Sequence, residues 1–145
     1  MRVILDTNVV ISGMIAPTGI PAKLLEAWIV RRFTLISHKL QIEEIRDVTR
    51  REKIRALLRP ADAGRLVNLI ANIAEFPDRL PDTQRSPDPR DDFLLALCET
   101  GDADILVSGD KTDLLALGSH GRTKIVTAAI FAEQLGLGRN TPGKI

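Results

Sequence analysis

Along the chain, short apolar runs alternate with stretches in which apolar residues recur every three or four positions. "RVILD" (2–6), "FTLIS" (33–37), "DADILVSGD" (102–110) and "KIV" (124–126) have the length and aliphatic content of strands. The period between them is helical. A short helix is predicted over 8–15, closed by the loop "APTG", and a second over 21–32, with Pro21 suited to its first turn. A third covers 38–51 with Ser37 as its cap and continues through "EKIRALL" to Pro60, and a fourth covers 61–73. "AEF" (74–76) reads as a short strand before a polar, Pro-rich loop over 77–87. Asp88 and Pro89 start a helix through "RDDFLLALCETG", "LLAL" gives a helical turn, His120 in "GSHGR" reads as loop, and 128–135 reads as a last helix. Strands alternating with helices predict an α/β fold, a parallel sheet with helices on both faces.

Length and composition narrow the class. The 145 residues suit one domain over 1–135, followed by a Gly-rich tail over 136–145 that is expected to fray. With 44% hydrophobic and 27% charged residues the balance is that of a soluble globular protein. A net charge of +1 points to neither nucleic acid nor membrane, so any basic surface is local. The single cysteine, Cys98, excludes an internal disulfide and fits a reducing compartment; within "FLLALC" it reads as a small core residue. No membrane-length apolar run and no leader-like segment is apparent, and the expected location is the cytoplasm. One Trp, four Phe and no Tyr do not make a base-stacking platform.

The informative residues are acidic. "VILD" and "ILVSGD" both end in aspartate, and parallel strands bring Asp6 and Asp110 to the same sheet edge. Asp6 is either the cap of the helix that follows, as Asp, Thr and Asn all can be, or a site residue at the edge where α/β proteins bind ligands. On the third helix Leu40, Glu44 and Val48 share a face and Glu43 points towards solvent. On the later helix Asp91 lines up with Leu95 and Cys98, and Asp92 is rotated away. Asp88 has a role of its own as a cap. Four carboxylates against apolar faces and strand ends are best explained by a hard divalent cation, Mg²⁺ or Mn²⁺. Zinc is disfavoured, because only His38, His120 and Cys98 are available and their spacing is not that of ligands.

These residues carry a resemblance. "ILDTNVVIS", "ISHKLQIEEI", "DPRDDFLLALCETGDADILVSGDKTDLLAL" and "KIVTAAIFAEQL", in that order over residues 2 to 135, resemble the PIN-domain family, and most closely its VapC-like bacterial toxins. The resemblance implies a Rossmann-like α/β/α sandwich with a central, mostly parallel sheet. It also implies a Mg²⁺- or Mn²⁺-dependent endoribonuclease leaving 3′-hydroxyl and 5′-phosphate ends. By matching motifs its acidic set falls on Asp6, Glu44, Asp91 and Asp110. Asn8 matches the position that supports the first aspartate and Ser108 a hydroxyl position, with Thr7 between the strand and the helix. Asp88 or Asp92 can exchange roles with Asp91, and Asp113 is a ligand or, as the preferred reading, a cap for the turn at Leu114. The family further implies an antitoxin whose helix lies in a groove, here among exposed apolar residues of 21–32 and 40–58, and a homodimer.

"RDVTRREKIRALLR" holds Arg46, Arg50, Arg51, Lys53, Arg55 and Arg59, a candidate RNA-binding stretch whose alternative is a solvated helix surface. Two rivals to an endoribonuclease are a PIN-like RNA- or protein-binding module and a phospho-acceptor domain. The latter needs an adjacent acidic pair at the first strand, which "VILDTN" does not supply.

Overall fold

The structure is a computed structural model and describes residues 1–86, 91–109 and 113–137. Asp88, Asp110 and the tail beyond 137 lie outside the described residues. Five strands form one sheet: β1 Arg2–Leu5, β2 Thr34–Leu35, β3 Ile105–Val107, β4 Ser119–His120 and β5 Thr123–Val126. Their spatial order is β2-β1-β3-β5-β4, parallel throughout except for the antiparallel β4–β5 pair. The helices are α1 Thr7–Ile15, α2 Ile20–Ile29, α3 Lys39–Arg50, α4 Glu52–Arg55, α5 Pro60–Ile73, α6 Asp92–Thr100, α7 Leu114–Leu117 and α8 Ala128–Gln134.

The strands sort their side chains by the two-residue period of the pleat. Val3, Leu5, Ile105 and Val107 face one layer, packed with residues of α1, α2, α3, α5 and α8. Ile4, Leu106 and Ile125 face the other, built on Leu94, Leu95, Leu97 and Cys98 of α6 with Leu114 of α7. Both faces of β1 are therefore dry, which is why "VIL" is a continuous apolar run and not an alternating one. The result is the expected α/β/α sandwich with a mostly parallel sheet. No single helix among the described residues is long and apolar enough to cross a membrane.

Four local expectations are corrected. Ser37 does not cap α3: His38 does, its Nδ1 accepting from the Leu40 amide at 3.1 Å, while the Ser37 hydroxyl donates to Gln41. The helix does not run unbroken from 38 to 58, because Arg51 adopts φ −63°, ψ 137° and ends α3 before the short α4 begins. "AEF" contributes only an isolated parallel bridge, Ile36 to Glu75. His120 is not a loop residue but lies in β4, made possible by the positive φ of Gly118 (73°) and Gly121 (57°) on either side of it.

Cys98 is 1% exposed, and burial is the main reason its thiol is pushed up to about 12. The thiolate is the reactive form. The expected outcome is that Cys98 stays unmodified by a thiol reagent at pH 8 in the native protein and is labelled fully in 6 M guanidinium, read by intact mass. Rapid native labelling would contradict this packing.

Candidate active site

The chain leaves β1 to form β2 on one side of it and later returns to form β3 on the other. That reversal between β1 and β3 is the topological switch point, and open α/β sheets bind ligands at the carboxyl ends of the strands there. Asp6 directly follows β1 and Ser108 directly follows β3. They meet: the Ser108 hydroxyl donates to Oδ2 of Asp6 at 2.9 Å. The Asp6 amide donates to the Val107 carbonyl at 2.9 Å, continuing the ladder one residue past the strand. Asp6 is 5% exposed, Thr7 3% and Ser108 fully buried.

The two readings of Asp6 can now be separated. Its carbonyl accepts from the Val9 and Val10 amides and so starts α1, but its side chain makes no capping hydrogen bond. The carboxylate is turned to the switch point. Asn8 is exposed on the first turn of α1.

A residue that the sequence reading passed over holds this edge together. Gln41 of α3 is 1% exposed, and its amide nitrogen donates to the Leu5 carbonyl at 2.6 Å, with a longer 3.5 Å approach to the Thr7 hydroxyl. Its amide oxygen accepts from the Ser37 hydroxyl at 2.6 Å. One side chain thereby ties β1, α1 and α3 together. The buried face of α3 runs through Gln41, Ile42 and Ile45. Leu40 is 40% exposed, so the line through Leu40, Glu44 and Val48 is the flank of that face and not its centre. Glu44 is partly buried and Glu43 exposed. The available signal was the i, i+4 link between Ser37 and Gln41, two polar residues bracketing a helix start.

At the other side of the sheet Asp91 sits immediately before α6 with helical φ/ψ and is partly buried. Asp92, the first residue of α6, is engaged: its Oδ1 accepts from the amides of Arg85 at 3.0 Å and Ser86 at 2.7 Å. Asp92 thus fastens the preceding loop to the helix. The same loop is braced again at the sheet edge. Arg85 approaches Nδ1 of His120 at 2.8 Å and donates to the Ser119 carbonyl at 2.9 Å, and Nε2 of His120 lies 2.6 Å from Glu99. A guanidinium only donates, so Nδ1 accepts and Nε2 carries the proton towards Glu99. That hydrogen bond is the main reason the Glu99 carboxyl is held below the usual carboxylate range, with partial burial opposing it and the Thr83 hydroxyl assisting. Asp113 occupies the N-cap position of α7, again without a capping hydrogen bond from its side chain.

Asp6 and Ser108 are therefore brought together, whereas Asp92 is committed to the loop. Among the described residues no three His, Cys, Asp or Glu side chains form a metal-holding group. Nitrogen and sulfur donors are occupied elsewhere. His38 caps α3, with burial as the main cause that lowers its pKa, His120 lies between Arg85 and Glu99, and Cys98 is in the core.

The family model described as PIN domain matches residues 2–112. No curated protein and no solved structure is significantly similar.

A test of the edge follows from Gln41. Gln41→Leu leaves the buried Ser37 hydroxyl and Leu5 carbonyl without their partner, each costing roughly 1–3 kcal/mol. We expect a loss of about 2–3 kcal/mol in urea unfolding with an unchanged m-value. A loss below half a kcal/mol would show that water replaces the amide and that Gln41 is not the tie.

Proposed function

The chain belongs to the PIN-domain family, whose members are generally nucleases that use divalent metal ions, and from that premise we propose that it is a Mg²⁺- or Mn²⁺-dependent endoribonuclease. One observation carries the reading to residues: the buried Asp6 carboxylate, hydrogen-bonded to Ser108 across the switch point and not used as a helix cap. The proposed acidic set is Asp6, Glu44, Asp91 and Asp110, with Thr7, Asn8 and Ser108 in support.

The donor chemistry fits a hard cation. The candidate donors are carboxylates, and the histidines and cysteine are engaged elsewhere. When bound, a divalent cation supplies positive charge to a phosphodiester in transit and acidifies the attacking water. The protein's own share is positional. Ser108 fixes one oxygen of Asp6. Gln41 holds α3, and so Glu44, against the end of β1. Asp92 fixes the loop before α6 and thereby the approach to Asp91. The wall behind them, Leu5 and Val107, keeps water from this face of the sheet. An RNA strand laid along the carboxyl edge would present its phosphate to the open side.

The finer biological reading is the toxin of a toxin–antitoxin pair acting in the cytoplasm. Exposed apolar residues Ile29, Val30, Leu40 and Leu57 offer a surface for an antitoxin helix or for a homodimer partner.

Two outcomes are expected. Millimolar Mg²⁺ or Mn²⁺ raises the melting temperature of the wild type, since a ligand bound only by the folded state stabilises it, and Asp6→Asn abolishes that rise. In RNA cleavage assays with folding checked by circular dichroism, Asp6→Asn, Glu44→Gln and Asp91→Asn each lose at least about a hundredfold in rate, equivalent to roughly 2.7 kcal/mol. Glu43→Gln retains activity, and so does Asp92→Asn, because an amide oxygen still accepts from the Arg85 and Ser86 amides. If all five variants cut RNA like the wild type, the nuclease assignment at this edge falls and a binding module takes its place.

A further inference from the structure

A notch of about 370 Å³ lies between α3, α4 and α5, lined by Arg46, Thr49, Arg50, Arg55 and, from α5, Pro60, Ala63, Gly64, Val67 and Asn68. Its volume is within the roughly 300–1,000 Å³ of small-ligand sites. Ala63 and Val67 form a buried apolar floor. The rim is cationic. Among the described residues Arg50 makes only a long, exposed ion pair with Asp47 at 3.9 Å. Among the described residues the guanidinium groups of Arg46 and Arg55 have no hydrogen-bonding or ionic partner. Asp62, the acid in the first turn of α5, is already held by Arg59 and Arg65. Arg51 and Lys53 do not line the notch.

Gly64 is the second observation. It sits inside α5, where glycine costs about 0.5–1 kcal/mol relative to alanine. Packing does not demand it, because a Cβ added there would meet nothing within 4 Å. The missing side chain leaves room above the apolar floor.

We propose that this notch seats a backbone phosphate of the RNA substrate, and that it does so for a stretch of RNA remote from the scissile bond. The proposal rests on the endoribonuclease reading for the identity of its ligand. Its geometry comes from α3. Arg46, Thr49 and Arg50 share one face of that helix, and at 100° per residue Arg46 lies about 200° around from Glu44. The notch and the acidic edge thus occupy opposite flanks of a helix about 10–12 Å thick. A phosphate in the notch cannot be the next one along from a phosphate beside Glu44. Both are filled together only by an RNA that reaches across α3, so the two phosphates are several nucleotides apart or belong to separate stretches of a folded RNA. Substrate choice by fold and phosphate placement also agrees with a chain poor in aromatic residues for base stacking.

The test is binding in EDTA, so that cleavage plays no part, read by fluorescence anisotropy over a salt series. The probes are a 40-nucleotide stem-loop and a 6-nucleotide single strand. We expect the double variant R46Q/R55Q to weaken stem-loop binding at least tenfold and to flatten its salt dependence by one to two phosphate contacts, about 0.9 each in slope for a duplex. The 6-mer should bind as to the wild type. Gly64→Gln, which fills the notch and keeps every charge, should reproduce the selective loss with an unchanged melting temperature. Equal weakening of both RNAs would overturn the proposal in favour of a general basic surface. Unchanged stem-loop binding would overturn it as well, and if polyglutamate binding were then lost the notch would be a seat for an acidic protein segment. The selective loss can occur even if Asp6→Asn cuts normally, so this seat and the catalytic assignment fail separately.

Discussion

The constraint on which the rest depends is that β1 lies in the interior with neither face wet, yet must end in polar groups. Val3, Ile4 and Leu5 are fully buried, flanked by β2 and β3. Where the strand stops, the Leu5 carbonyl, the Asp6 amide and the Asp6 carboxylate all need partners, because a buried polar group left unpaired costs more than a typical hydrogen bond returns. Three elements supply them: α3 through Gln41, β3 through the Val107 carbonyl, and the residue after β3 through the Ser108 hydroxyl. The need to satisfy one strand end thus draws α3 and the end of β3 to Asp6.

The opposite end of the same strand is closed by a different device. The Arg2 amide donates to Asp104 at 2.8 Å, its Nε to the Gly101 carbonyl at 2.7 Å, and its guanidinium pairs with Glu75. The hydrogen bond from the Arg2 amide is the main cause that holds the Asp104 carboxyl below its ordinary range. This end is all charge and backbone, with ordinary surface pairs of modest worth. The two ends differ in kind: one fastens the sheet to the segments around it, the other gathers buried polar groups about a carboxylate.

Much of this was legible in the sequence, and the gaps have physical causes. "VIL" and "ILV" announced buried parallel strands, and "LLAL" announced α7, because aliphatic runs bounded by polar residues leave few alternatives. The break at Arg51 was not legible, since arginine is a good helix former and no Gly or Pro between 38 and 59 marks a stop. The strand β4 was missed because two residues carry no period, and only the glycines on either side hinted at a reversal. Ser37 and His38 can both cap a helix, and the choice depends on Gln41 drawing the serine hydroxyl into the core. Gln41 itself was overlooked because a glutamine on an amphipathic helix reads as surface. Among the acids, helical period distinguished partly buried Glu44 from exposed Glu43, whereas the engagement of Asp92 depends on the path of the preceding loop, which carries the Arg85 and Ser86 amides back to it.

The sheet also has unusually little edge to offer. On one side it ends in β4, two residues long. On the other, β2 is equally short, and its outer rim is taken by the segment around Glu75, which accepts from the Ser37 amide and donates to the Leu35 carbonyl, each at 2.9 Å. Unpaired strand edges are where foreign strands add and where aggregation begins. A molecule with both margins so curtailed resists growing by strand addition, even when expressed at high level or partly unfolded at its periphery. Any association between copies of the chain is thereby steered to the helical layers and away from the margins of the sheet.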